Sequence, residues 1–134
     1  MARLVTFKDL DNLVTNVGGP IVVSSGCERG QALIISGDNT LDLADTSVSR
    51  SLGRFIGVAS STVTPGSKVK YQYLGPFKMD ASMGWSAGQP IYTDDEGYLT
   101  NVPPVSTTGK YIQVLGVALT DDTVFLFREP AYPF

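Results

Sequence analysis

Histidine is absent from these 134 residues. That removes Ser-His and Cys-His nucleophile pairs, imidazole zinc ligands and the commonest general base near neutral pH. Cys27 is the single cysteine, so no disulfide forms within the chain and thiolate metal clusters are excluded. An enzyme built from this sequence would have to work with carboxylates, Lys or Tyr alone. Runs of positive charge are missing as well. The ten Lys and Arg residues stand singly against thirteen Asp and Glu, for a net charge of −3. A pI near 4.7 argues against binding to phosphate backbones. No apolar stretch approaches the roughly 18 residues of a membrane helix. The start, MARLVTFKDLDNLV, lacks the apolar core and cleavage site of a secretion signal. Nucleic acid and membrane are therefore not expected partners, and cytoplasmic synthesis is the expectation.

What is present is the vocabulary of one β-rich domain. Hydrophobic residues make up 43% of the chain, enough for a real core at this length. The 14 glycines and 8 prolines suit short strands joined by turns. SKVKYQYLGPF alternates, with Val69, Tyr71 and Tyr73 toward one face and Lys68, Lys70 and Gln72 toward the other, so it predicts a half-buried strand. PIVVSS, QALIIS, RFIGVAS, KYIQVLGVAL and DTVFLF are similar β-branched and aromatic runs. SGDN, TPGS, DDEG, TTGK and TDDT between them are turn compositions.

Three segments are expected. Residues 1–20 form an N-terminal part in which Phe7, Leu10, Leu13, Val14 and Val17 suit a short amphipathic helix, or equally an extended arm, ended by Gly18-Gly19-Pro20. Residues 21–128 form the β-domain. Residues 129–134 form an extended Pro/aromatic tail, held straight by Pro130 and Pro133.

The β-domain contains a weak internal repeat. GQALIISGD (30–38) resembles GQPIYTDDE (88–96), and FIGVAS (55–60) resembles VLGVAL (114–119). KVKYQYLGPF (68–77) resembles DTVFLFREP (122–130), and the three offsets are 58, 59 and about 55 residues. Chance likeness among short β segments is the alternative. If the repeat is real, two similar β units pack into a small β-barrel or β-sandwich. On the third pair, Phe125 and Phe127 replace Lys70 and Gln72, so the second copy presents an apolar face that needs a cover.

Candidate chemistry is thin. Asp94, Asp95 and Glu96 are consecutive, so extended geometry points them apart, and Pro103 stands where a calcium loop needs Glu. They read as a hairpin turn with Gly97 at the positive-φ position. Asp42 with Asp45 and Asp121 with Asp122 sit in turn-like polar stretches and read as solvated carboxylates. Cys27 reads as a small buried apolar residue and Trp85 as a core anchor. No catalytic, metal or cofactor-binding residues are assigned, and no enzyme activity is expected.

Certain motifs resemble those of tailed-bacteriophage capsid decoration (cement) proteins. They are Gly57-Val58-Ala59, Pro65-Gly66, VKYQYLGPF, WSAGQPIY (85–92), DEGYLT (95–100) and LGVAL (115–119). The resemblance covers roughly residues 22–128. It implies a small, non-catalytic β-rich protein, often trimeric, bound outside the shell at threefold or quasi-threefold positions. The expected partners are the major capsid protein and further copies of the chain, and the expected location is the capsid surface of the virion. Phe7, Leu10 and Leu13, Phe125 and Phe127, and Tyr132 and Phe134 are the expected subunit or capsid contacts. Another virion component (head fibre, neck or tail protein) is the alternative, with a receptor- or carbohydrate-binding role in which Tyr92 and Tyr98 stack sugars.

Overall fold

The computed structural model describes residues 16–44, 55–103, 111–127 and 132–133, and they contain strands, turns and loops with no helix. Eleven strands follow in chain order. They are β1 (Asn16–Val23), β2 (Ala32–Gly37), β3 (Thr40–Leu43), β4 (Phe55–Ala59), β5 (Lys68–Lys78) and β6 (Pro90–Thr93). After these come β7 (Leu99–Thr100), β8 (Tyr111–Ile112), β9 (Gly116–Ala118), β10 (Thr123–Leu126) and β11 (Tyr132–Pro133). Nine form one sheet in the order β1-β3-β2-β4-β5-β10-β9-β6-β7, and β1 also pairs with β5. That extra pairing closes β1 to β5 into a five-stranded barrel, so the mainly β, barrel-type fold expected from the sequence is the one observed. Within the barrel only β1 and β3 run parallel.

Strand β5 belongs to both halves. Its early residues pair with β1, from Val22↔Lys68 to Asn16↔Leu74, and with β4 at Val58↔Gln72 and Ala59↔Tyr71. Its last four residues pair with β10, from Leu126↔Gly75 to Thr123↔Lys78. The predicted alternation holds at Lys68, Val69, Lys70 and Tyr71 and then changes: Gln72 is buried and Tyr73 is 44% exposed. The cause is the hand-over from one set of partners to the other. The Gln72 amide Nε2 there donates to the carbonyls of Leu74 and Pro76 at 3.3 and 2.8 Å.

Gly18-Gly19-Pro20 does not end an element; it lies inside β1. The register shifts between Gly18 and Ile21, and such a bulge accommodates a proline that cannot donate to the ladder. Close packing also requires small residues here, since a Cβ on Gly18 would overlap the Tyr71 ring. The expected helix or arm at Phe7, Leu10, Leu13 and Val14 lies outside the described residues.

Two cores result. Val23, Leu33, Leu41, Ala59, Val69 and Tyr71 fill the barrel. Phe77, Trp85, Ile91, Leu115, Val124 and Leu126 pack with Ala32, Ile34, Phe55 and Val58 between the barrel's outer wall and the second half. The first half of β2 (Ala32 to Ile34) and β4 are thus covered on both sides, which is why ALI and FIGVA are continuously apolar there. Trp85 is a core residue at 4% exposure.

The repeat is real in three dimensions. Leu33↔Gly57 and Ala32↔Val58 in the first half correspond to Ile91↔Gly116 and Pro90↔Val117 in the second, at the offsets of 58 and 59. Gly30 N–H donates to Ala59 O at 2.9 Å as Gly88 N–H does to Ala118 O at 2.8 Å. The Gln31 side chain accepts the Glu28 N–H at 2.7 Å, and the Gln89 side chain accepts the Ser86 N–H at 2.8 Å. The third offset is corrected, however. Val58↔Gln72 matches Val117↔Phe125, so Phe125 stands in the place of Gln72 and Phe127 in that of Leu74, not of Lys70 and Gln72. The difference is two residues, which preserves the face and so hides the slip from pattern reading.

Gly57 and Gly116 are equivalent and share a reason. A Cβ on Gly57 would lie 2.7 Å from the Gln72 carbonyl oxygen, and one on Gly116 would collide with the Phe125 carbonyl. Gly57→Ala and Gly116→Ala are each expected to lower stability by about 1–3 kcal/mol, because backbone must move to admit the methyl group. Denaturant unfolding of the two variants checks this. The same measurement separates the glutamines. Gln31 is 4% exposed and also donates from Nε2 to the Glu96 carbonyl at 3.0 Å, whereas Gln89 is only half-buried. Gln31→Ala is expected to cost about 1–3 kcal/mol and Gln89→Ala less, since water can replace the lost partner only at the second site.

Candidate functional site

The acidic stretch caps the β6–β7 hairpin, as the sequence suggested. Asp94 Oδ1 accepts the backbone N–H groups of Glu96 and Tyr98, both at 2.9 Å, and Gly97 takes φ +86. The turn also joins the two halves. Gly97 is buried, its carbonyl accepts the Ala32 N–H at 2.7 Å, and a Cβ there would lie 3.1 Å from the Ala32 oxygen. Asp122 is a turn residue whose carboxylate accepts the hydroxyls of Thr120 and Thr123 at 2.9 and 3.0 Å; these bonds hold it below the usual carboxylate range. Asp121 accepts the Ser82 hydroxyl at 2.7 Å. Asp42 departs from the expected turn: it sits in β3, where Oδ1 accepts the Ser25 hydroxyl at 2.6 Å and the Leu43 N–H at 2.8 Å. Asp45 lies outside the described residues.

Cys27 is buried and bridges to Val63, with its Sγ 3.6 Å from the Ser61 carbonyl. Burial pushes the thiol up, against a smaller lowering by the Val63 backbone, so the neutral, weakly nucleophilic form prevails near neutral pH.

Of the expected contact residues, Phe7, Leu10, Leu13 and Phe134 lie outside the described residues. Tyr132 is described by its backbone, which pairs with Ile112 of the same chain, so this part of the tail folds back as β11. On β10, Val124 and Leu126 are fully buried while Phe125 and Phe127 are half-buried on the strand's other side.

The structure adds an open groove of about 350 Å³, built from four separate stretches. The turn after β1 brings Ser25 and Glu28, the Cys27↔Val63 bridge brings Val63 and Pro65, and the β6–β7 hairpin brings Tyr98. Leu43 completes an apolar floor. The Tyr98 hydroxyl donates to Glu28 Oε2 at 3.0 Å while the residue stays 39% exposed. That bond, the Glu28 charge, and then the charges of Glu96 and Asp94 hold the phenol above its usual value, so it remains a donor at any ordinary pH. A second, smaller groove of about 120 Å³ lies among Ile21, Ile35 and Ile56.

The sequence reading missed the Tyr98–Glu28 pair, since 70 residues separate the partners. The glutamines of the Gly-Gln dipeptides at 30 and 88 close equivalent turns, a role that residue type alone does not reveal. Their recurrence at the head of each repeat was the available signal.

No protein of curated function matches the sequence. Among solved structures, the chain is similar to the head fiber gp8.5 N base in bacteriophage phi29, at 17% identity and a TM-score of 0.50. That similarity covers 90% of this chain and 98% of the other, and it shows a shared fold. The family model for phage cement proteins matches residues 21–123, which is nearly all of the two β units and their connecting strand. With more than half of its length matched, the chain belongs to the phage cement protein family.

Proposed function

We propose that this chain binds the outside of a phage head and stabilises it mechanically, without catalysing a reaction. The observation that carries the reading is the family match over residues 21–123. The architecture suits the task. Both halves share β5, and β4 with the first half of β2 is buried on both faces, so the body docks as a rigid unit and loses little conformational entropy on binding. Contacts that span neighbouring capsomers add interface area, and separating the capsomers then costs more free energy. The proposed partners are the major capsid protein and two further copies in a homotrimer, which multiplies weak contacts by avidity. Synthesis in the host cytoplasm precedes attachment.

A second reading draws on the structural neighbour, which is the base of a head fiber. In it the β body is a virion anchor for a receptor- or carbohydrate-binding element.

The test uses the purified full chain and undecorated heads. Saturable binding, together with a rise in the temperature at which heads rupture, is the expected outcome. Binding with no gain in head stability would overturn the cement reading in favour of an anchor. Light scattering is expected to give three times the 14.3 kDa of one chain, and a monomer would remove the trimer. Removing residues 1–15, which leaves β1 whole, is expected to preserve the β fold by circular dichroism and to weaken head binding about tenfold or more, in line with the loss of several apolar contacts. Unchanged binding by that truncation would sink the proposed role of Phe7, Leu10 and Leu13.

A further inference from the structure

Resting on the capsid-binding reading, we propose that the groove beside Tyr98 seats a basic side chain, arginine best, from the surface the protein decorates. The floor is apolar, formed by Leu43, Val63 and Pro65, and matches the aliphatic stem of such a residue. Tyr98 supplies an exposed aromatic wall over which a cation gains attraction from the ring. Its orientation is fixed, because its hydroxyl is bonded to Glu28.

Among the described residues, the charge in and beside the groove has one sign. Glu28 lines it and uses Oε2 for the tyrosine, while Asp42, next to the lining Leu43 and bonded to the lining Ser25, uses Oδ1 for Ser25 and Leu43; the second carboxylate oxygen of each has no hydrogen-bond partner among the described residues. No lining residue among the described ones is basic. The nearest arginine in sequence, Arg29, is committed elsewhere. Its guanidinium lies 4.5 Å from the Phe77 ring centroid and pairs with Asp80 at 2.9 Å. The fields of Glu96 and Asp94 also reach the Tyr98 hydroxyl, so the wall itself sits in negative potential. An apolar floor, an aromatic wall and the Glu28 carboxylate complement a guanidinium or ammonium on a hydrocarbon stem, and they repel anionic ligands.

Two arms test this in the full-length protein. In the first, Glu28→Gln is expected to weaken binding to undecorated heads about tenfold and to flatten its salt dependence, as loss of one charge-assisted contact should. Tyr98→Phe, which keeps the ring, is expected to lose less than Tyr98→Ala. Unaltered melting temperature for each variant confirms that the fold is intact. Wild-type affinity in Glu28→Gln overturns the groove as a contact while leaving decoration standing. The second arm is independent of the head: an end-blocked Arg-Leu-Arg tripeptide is titrated against the protein and followed by NMR. Shifts centred on Tyr98, Glu28 and Leu43 that disappear in Glu28→Gln support the proposal. Absence of those shifts overturns it, as does binding of a neutral oligosaccharide in the same groove with no response to the peptide.

Discussion

The pairing of β5 with three different strands organises this molecule. Its first half closes a barrel against β1 and β4, and its second half carries β10 and, through it, the rest of the sheet. A ladder of this kind leaves no hinge between the halves, since a single hydrogen-bonded strand runs through both. The cost is paid locally at Gln72, where the chain changes partners and a buried amide must satisfy carbonyls along its own strand.

Around that strand the two halves are built alike. Gly57 and Gly116 admit the same close approach of a neighbouring carbonyl, and Gln31 and Gln89 close the same turn. The halves then diverge. Only the first is sealed by an N-terminal strand, and only the second sends a turn, Asp94 to Gly97, into the other half. That turn places Tyr98 against Glu28 and thereby forms the groove. An acidic hairpin that looks like surface decoration is thus a structural joint with one exposed aromatic beside it.

A rigid two-unit β body in the phage cement family favours function by surface contact. Affinity in such a protein depends on how little must be ordered at binding and on a few well-placed contacts more than on total area. The groove is preorganised in this sense, because Tyr98 is already held by its hydrogen bond and the apolar floor is already formed.

Much of this was legible in the residue order. The turn compositions, the alternation from Lys68 to Tyr71 and the Gly-Gln recurrence determined a β-rich chain with two similar units, because side-chain periodicity and turn chemistry are local properties. Periodicity could not place the break at Gln72, the bulge through Gly18–Pro20, or the true match of Phe125 to Gln72. A register slip of two residues leaves every side chain on its original face. Nor could it pair Tyr98 with Glu28, or expose Asp42 as a strand residue holding Ser25. Those relations join positions far apart in the chain, and only the closing of the barrel and the packing of the second half against it brought them together.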